Sequence, residues 1–130
     1  MRILTSLLQI QYRYAKRYWA PVTIFLLISV TGISFYPPSE VSSLGNDKYN
    51  HILAYATISF PISLVRPQRW TFLLVLCILW SGVIEFIQPY IQRSGEWLDI
   101  LANVIGIWCG FLASLPIRRS LRNELSKDRL

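Results

Sequence analysis

Charge is scarce in this chain. Only 15% of its 130 residues are Asp, Glu, Lys or Arg, against 53% hydrophobic. A water-soluble domain of this length carries more charge and far fewer long apolar runs, which excludes an ordinary soluble globule. Acid is scarcer still, with 7 acidic residues beside 13 basic ones and a net charge of +6. That surplus does not point to nucleic acid, because the basic residues lie between and beyond the apolar runs, without interleaved surface aromatics for bases to stack on. Cysteine is limited to Cys77 and Cys109, both inside apolar runs. No CxxC or Cys/His spacing suggests zinc, and both are expected as buried, reduced side chains. There is one histidine, His51, and neither an internal repeat nor a low-complexity tract. The first apolar run lacks a small-x-small cleavage site, which argues against a secretory signal. No cofactor is expected.

What is present is enough apolar sequence for four membrane spans, since each needs about 20 mainly apolar residues. The expected fold is all-α: a polytopic membrane protein of four transmembrane helices with short loops, forming one domain. Spans are expected at about 18–36, 48–65, 70–90 and 97–115. Residues 1–17 place Ile3, Leu4, Leu7 and Leu8 at helical spacing among Arg2, Arg13, Lys16 and Arg17, the pattern of an amphipathic surface helix. The tail 116–130 repeats that pattern with Ile117, Leu121 and Leu125. Pro21 is expected in the first turn of its span, where a missing N–H costs little. Pro61 should kink the second helix and free the Thr57 carbonyl, with Ser59 at hand to satisfy it, so that helix belongs inside the bundle. Pro89 and Pro116 are expected to end the third and fourth spans.

Eleven of the 13 basic residues fall in the N-terminal segment, the 66–69 turn and the tail. The positive-inside bias then puts both termini in the cytoplasm, in the cell (inner or plasma) membrane. Trp19, Trp70 and Trp97, with Tyr36, Tyr49 and Tyr90, lie near span ends as an aromatic belt.

This topology places three polar clusters on the outer side. Asp47, Lys48 and His51 open the second helix; Glu85 and Gln88 lie in the last turns of the third, followed by Arg93; Asp99 and Asn103 lie in the first turns of the fourth. Each cluster has i,i+3 or i,i+4 spacing and so shares a helix face. Glu85 lies roughly 7–8 Å below Tyr90 at 1.5 Å per residue. An ionisable group at that depth costs a few kcal/mol unless it faces protein or water, which marks a functional site by default. Other readings stand beside this one. Asp47 suits a helix N-cap, Lys48 an interfacial anchor, Asp99 a cap or a partner for Arg93, and Glu96 an ordinary loop charge. Gly106 and Gly110 form a GxxxG that lets another helix approach closely.

Taken together, Asp47-Lys48-x-x-His51 with Tyr55, Glu85-x-x-Gln88 followed by Arg93, and Asp99-x-x-x-Asn103-x-x-Gly106 resemble the VanZ-like family. The resemblance covers about residues 44–115 and leaves out the first span and both tails. Many members carry a second acid directly before the glutamate; Ile84 stands there in this chain. The resemblance implies a small polytopic protein of the cell envelope, in a family whose namesake is associated with teicoplanin resistance.

The expected function is binding of an amphipathic envelope molecule, lipid-linked or glycopeptide in kind, through Asp47, Lys48, His51, Glu85, Gln88, Arg93, Asp99 and Asn103. Arg93 and Lys48 suit phosphate or carboxylate, while Gln88 and Asn103 add directional hydrogen bonds. The alternative is a membrane enzyme in which His51, tuned by Asp47, Glu85 or Asp99, is the general acid or base. A third reading is an ion-paired plug that binds nothing. A metal held by His51, Asp47, Glu85 and Asp99 is chemically possible but lacks diagnostic spacing, and none is expected. Apart from that ligand, the expected partner is the lipid bilayer.

Overall fold

The computed structural model describes residues 2–36, 47–91 and 95–127, and their side chains except at 2–5, 47, 125 and 127. Four helices follow in order: α1 (Arg2–Phe35), α2 (Asp47–Val65), α3 (Trp70–Ile87) with a 3-10 turn at Gln88–Ile91, and α4 (Trp97–Lys127). No strand occurs among the described residues.

Among the described residues, three segments are long and apolar enough to cross a membrane: Ser6–Phe35, Trp70–Ile91 and Trp97–Glu124. Their outer faces carry large apolar side chains in the open, among them Phe25, Ile28, Leu79, Trp108 and Leu112. Such surfaces are expelled from water and suit lipid. At one end of the bundle Tyr36, Tyr49, Tyr90 and Trp97 are exposed, as an interfacial aromatic belt requires.

α2 is not among those three, and its place in the bundle explains why. It buries Tyr55, Ile58, Ser59, Ile62, Ser63 and Val65, so much of its surface meets protein and need not be apolar. It packs most extensively on α4, then on α1. The α2–α4 contact runs from His51 beside Asn103 at one end to Leu64, whose carbonyl accepts from Arg118 at 2.8 Å, at the other. Gly106 and Gly110 make this contact possible. A Cβ at position 106 would overlap the Ile52 carbonyl, and one at 110 would overlap the Ala56 carbonyl and the Ser59 hydroxyl. In lipid, where hydrophobic burial does not drive helices together, this backbone-to-backbone approach is a main source of association.

Several local expectations are corrected. Residues 1–17 are not a separate surface helix: α1 runs unbroken for 34 residues, with Pro21 in its interior. At 1.5 Å per residue it is roughly 51 Å long, about 21 Å more than a hydrocarbon thickness of about 30 Å. Pro116 does not end the fourth helix either; α4 continues through it to Lys127. An interior proline removes one hydrogen bond and crowds the carbonyl one turn back, which a membrane helix tolerates where its surroundings satisfy the freed groups. Ser59 does not serve the carbonyl that Pro61 frees. Its hydroxyl sits 3.1 Å from the Ala56 carbonyl and 3.2 Å from the Ile107 carbonyl, bridging α2 to α4. Cys77 is buried as expected, whereas Cys109 is exposed on the apolar surface.

α1 is tied to α3 by polar contacts. Trp80 donates its indole N–H to the Thr31 hydroxyl at 3.0 Å, and the Gln88 amide donates to the Ser34 carbonyl at 3.4 Å.

Candidate functional site

The start of α2, the end of α3 and the start of α4 meet at one end of the bundle, and helical spacing decides which side chains converge there. Lys48 and His51 lie one turn apart on α2, Ser81 and Glu85 on α3, Asp99 and Asn103 on α4. His51 is the centre of the cluster. Its Nδ1 is 3.0 Å from Asn103 Oδ1 and 3.9 Å from Glu85 Oε1, while Nε2 is 4.0 Å from Asp99 Oδ2. Asn103 Nδ2 donates to the Ser81 hydroxyl at 2.9 Å. That bond commits the amide nitrogen to Ser81, so Oδ1 is the acceptor for the His51 Nδ1–H. On the other side of the ring, Nε2 faces Asp99.

The cluster is deeply enclosed. Glu85, Asp99 and Asn103 are 5%, 3% and 1% exposed. Carboxylates removed from water at this depth are costly unless charges or hydrogen bonds compensate. For Asp99 the compensation is Lys48, whose Nζ is 3.2 Å from Oδ1 and also 2.9 Å from Glu96 Oε2. Lys48 thus closes the mouth of the cluster with a bridge from α2 to the start of α4. Asp99 faces Lys48 and His51, which corrects its reading as a helix cap.

Of the expected site residues, Lys48, His51, Glu85, Asp99 and Asn103 come together. Gln88 is buried, and its amide reaches α1 through Ser34. Asp47 is the first residue of α2, with its side chain outside the described residues, and Arg93 lies outside them altogether. Two contributors were missed. Ser81 is fully buried and anchors Asn103; its position four residues before Glu85, on the same face of an apolar helix, was the available signal. Glu96 is a partner of Lys48 and not merely a loop charge. Nothing in its spacing announces that.

His51, Glu85 and Asp99 offer ligand atoms within 4.8 Å of one another, a set that can coordinate a cation. The carboxylates face opposite nitrogens of the ring, however. An ion held there would compete with the Lys48 ammonium for Asp99.

Fold and site together define the class: an all-helical protein suited to a membrane, with a buried ionisable cluster at one end. Compared with known proteins, the chain matches no family model, no curated protein and no solved structure. The VanZ-like resemblance therefore rests on its three motifs alone.

Proposed function

We propose that the chain is a VanZ-like integral membrane protein with four spans, α2 included, and both termini in the cytoplasm. Its outward-facing polar cluster binds the head of an amphipathic envelope molecule, lipid-linked or glycopeptide in kind. The observation that carries this reading is the convergence on His51 of Asn103, Glu85 and Asp99 from two other helices. Membrane helices rarely tolerate such groups without a role. In this reading the His51–Asn103 pair supplies directional hydrogen bonds, and Lys48 exchanges a carboxylate partner for an anionic part of the ligand. Arg93, included on sequence grounds, suits phosphate or carboxylate.

The topology is tested by fusing a phosphatase that is active only outside the cytoplasm. Fusion after Gly45 should be active and fusion after Arg69 inactive; the reverse pattern would invert the bundle. Ligand binding is tested with purified protein in nanodiscs, titrated separately with a lipid-linked wall precursor and with teicoplanin. His51→Ala should weaken binding of one of them at least tenfold while the thermal midpoint stays close to wild type. Neither compound binding the wild type, or binding unchanged in the variant while stability falls, would leave the cluster as a structural plug.

One observation favours a second reading, catalysis: each ring nitrogen of His51 faces a carboxylate. Nε2 would then take or give a proton, with water as the nucleophile. Product formation from the lipid-linked compound, absent in His51→Ala, selects this reading. Equal turnover by the variant removes it.

A further inference from the structure

The opposite end of the bundle holds a concavity apart from the His51 cluster. A cavity of about 650 Å³ lies there, lined by Arg66, Arg118, Arg119 and Arg122 together with Tyr12 and Ser126. Arg66 belongs to the turn between α2 and α3, the other arginines to α4 beyond Pro116, and Tyr12 to the N-terminal half of α1. No carboxylate is among the described residues lining it. Guanidinium groups gathered around one hollow repel one another unless an anion stands between them, and low-dielectric walls sharpen that repulsion. Arginines that serve only to orient the chain can sit anywhere on the cytoplasmic surface and have no need of a common cavity.

Two of the four are held in place. Arg66 adopts a left-handed backbone (φ 50°), which disfavours any residue with a Cβ. Its guanidinium lies 4.7 Å from the Trp70 ring and 5.5 Å from Phe111, two rings that stack on each other at 5.8 Å. Its Nε is buried without a hydrogen-bond partner among the described residues. Arg118 is oriented by donating from Nη1 to the carbonyls of Leu64 (2.8 Å) and Val65 (3.4 Å). Arg119 and Arg122 are exposed and bring charge to the rim. Pre-placed guanidinium forks match the paired oxygens of a phosphate better than ammonium groups do.

We propose that this cavity binds a phosphate ester, supplied by the headgroup of an anionic phospholipid at the membrane surface on the basic side of the bundle. Its volume suits a headgroup, and basic pockets between membrane helices at that level meet lipid phosphates directly.

The test uses the full chain in detergent, titrated with phosphatidylglycerol or phosphatidylcholine and read by native mass spectrometry. Phosphatidylglycerol should bind at least tenfold more tightly than phosphatidylcholine. That preference should fall below threefold in Arg119→Gln/Arg122→Gln, whose exposed side chains leave the fold intact by thermal unfolding, and it should also fall in Arg66→Gln. Arg13→Gln/Arg17→Gln, with the same charge loss on exposed α1 positions outside the cavity, should keep it. Displacement of the lipid by millimolar glycerol 1-phosphate would mark a water-soluble phosphate ester as a ligand too; resistance to displacement would mark the lipid. Either result supports phosphate recognition. Equal affinity for the two lipids, or an equal loss in the Arg13/Arg17 variant, overturns the proposal.

Discussion

Replacing Gly110 with leucine is expected to cut the yield of folded protein in detergent more than tenfold, while leucine at Gly32 leaves it unchanged. The two glycines differ in surroundings. A side chain at 110 would overlap the Ser59 hydroxyl and the Ala56 carbonyl, whereas nothing lies within 4 Å of a Cβ at 32. Backbone atoms of α2 cannot move aside as a flexible side-chain end would, so α4 must lift away. Overpacking typically costs about 1–3 kcal/mol, and here it falls on the largest helix contact of the bundle. A loss of 1.4 kcal/mol is about a factor of ten in the ratio of folded to unfolded protein. Size-exclusion profiles and thermal midpoints of the two variants check this. A monodisperse Gly110→Leu protein with the wild-type midpoint would show that α2 and α4 do not depend on close approach.

The second large effect belongs to Asn103, which joins the functional cluster to its support. Asn103→Leu removes the acceptor of the His51 Nδ1–H and the donor to Ser81 at once. Each buried polar group left without its partner costs roughly 1–3 kcal/mol. Ser81→Ala alone removes one hydrogen bond between membrane helices, worth about 0.6 kcal/mol. Combined, the two should destabilise by less than their sum, with a coupling of roughly 0.6–1.7 kcal/mol measured by reversible unfolding in mixed micelles. Ligand affinity separates the two ends of Asn103. It should collapse in Asn103→Leu, where His51 loses its orientation, and survive in Ser81→Ala, where the His51 contact remains. Strict additivity in the double variant would mean that Asn103 does not bridge the two residues.

Much of this was legible in the residues themselves. His51, Glu85, Asp99 and Asn103 stood out because polar groups one turn apart at the end of an apolar run have few structural explanations. The GxxxG at Gly106 and Gly110 announced a close helix contact, and Pro61 with its neighbouring hydroxyls placed α2 in the interior. The partners of these groups were less visible. Lys48 reaches Glu96 and Asp99 across 48 and 51 positions, and Gln88 reaches Ser34 across 54. Spacing along one helix aligns side chains with one another but leaves open how the helix is rotated against its neighbours. Gln88 shares a helical register with Glu85 yet serves a different contact, its amide meeting the Ser34 carbonyl of α1.

The residues alone carried the class of fold, all-helical and apolar enough for a membrane. Long apolar runs with sparse charge suit lipid, and in lipid a helix satisfies every backbone polar group within its own segment. The sequence also determined that polar residues would collect at helix ends, where the cost of burying them is lowest. Only the tertiary structure decided where α1 and α4 end, because a proline interrupts one hydrogen bond and its surroundings decide whether the helix goes on. It likewise decided that Asp99 turns to Lys48, that Asn103 stands between His51 and Ser81, and that four arginines separated by up to 56 positions share one cavity. Those outcomes depend on the rotation and depth of each helix against the others, which backbone contacts such as Gly110 on Ala56 set and local patterns do not encode.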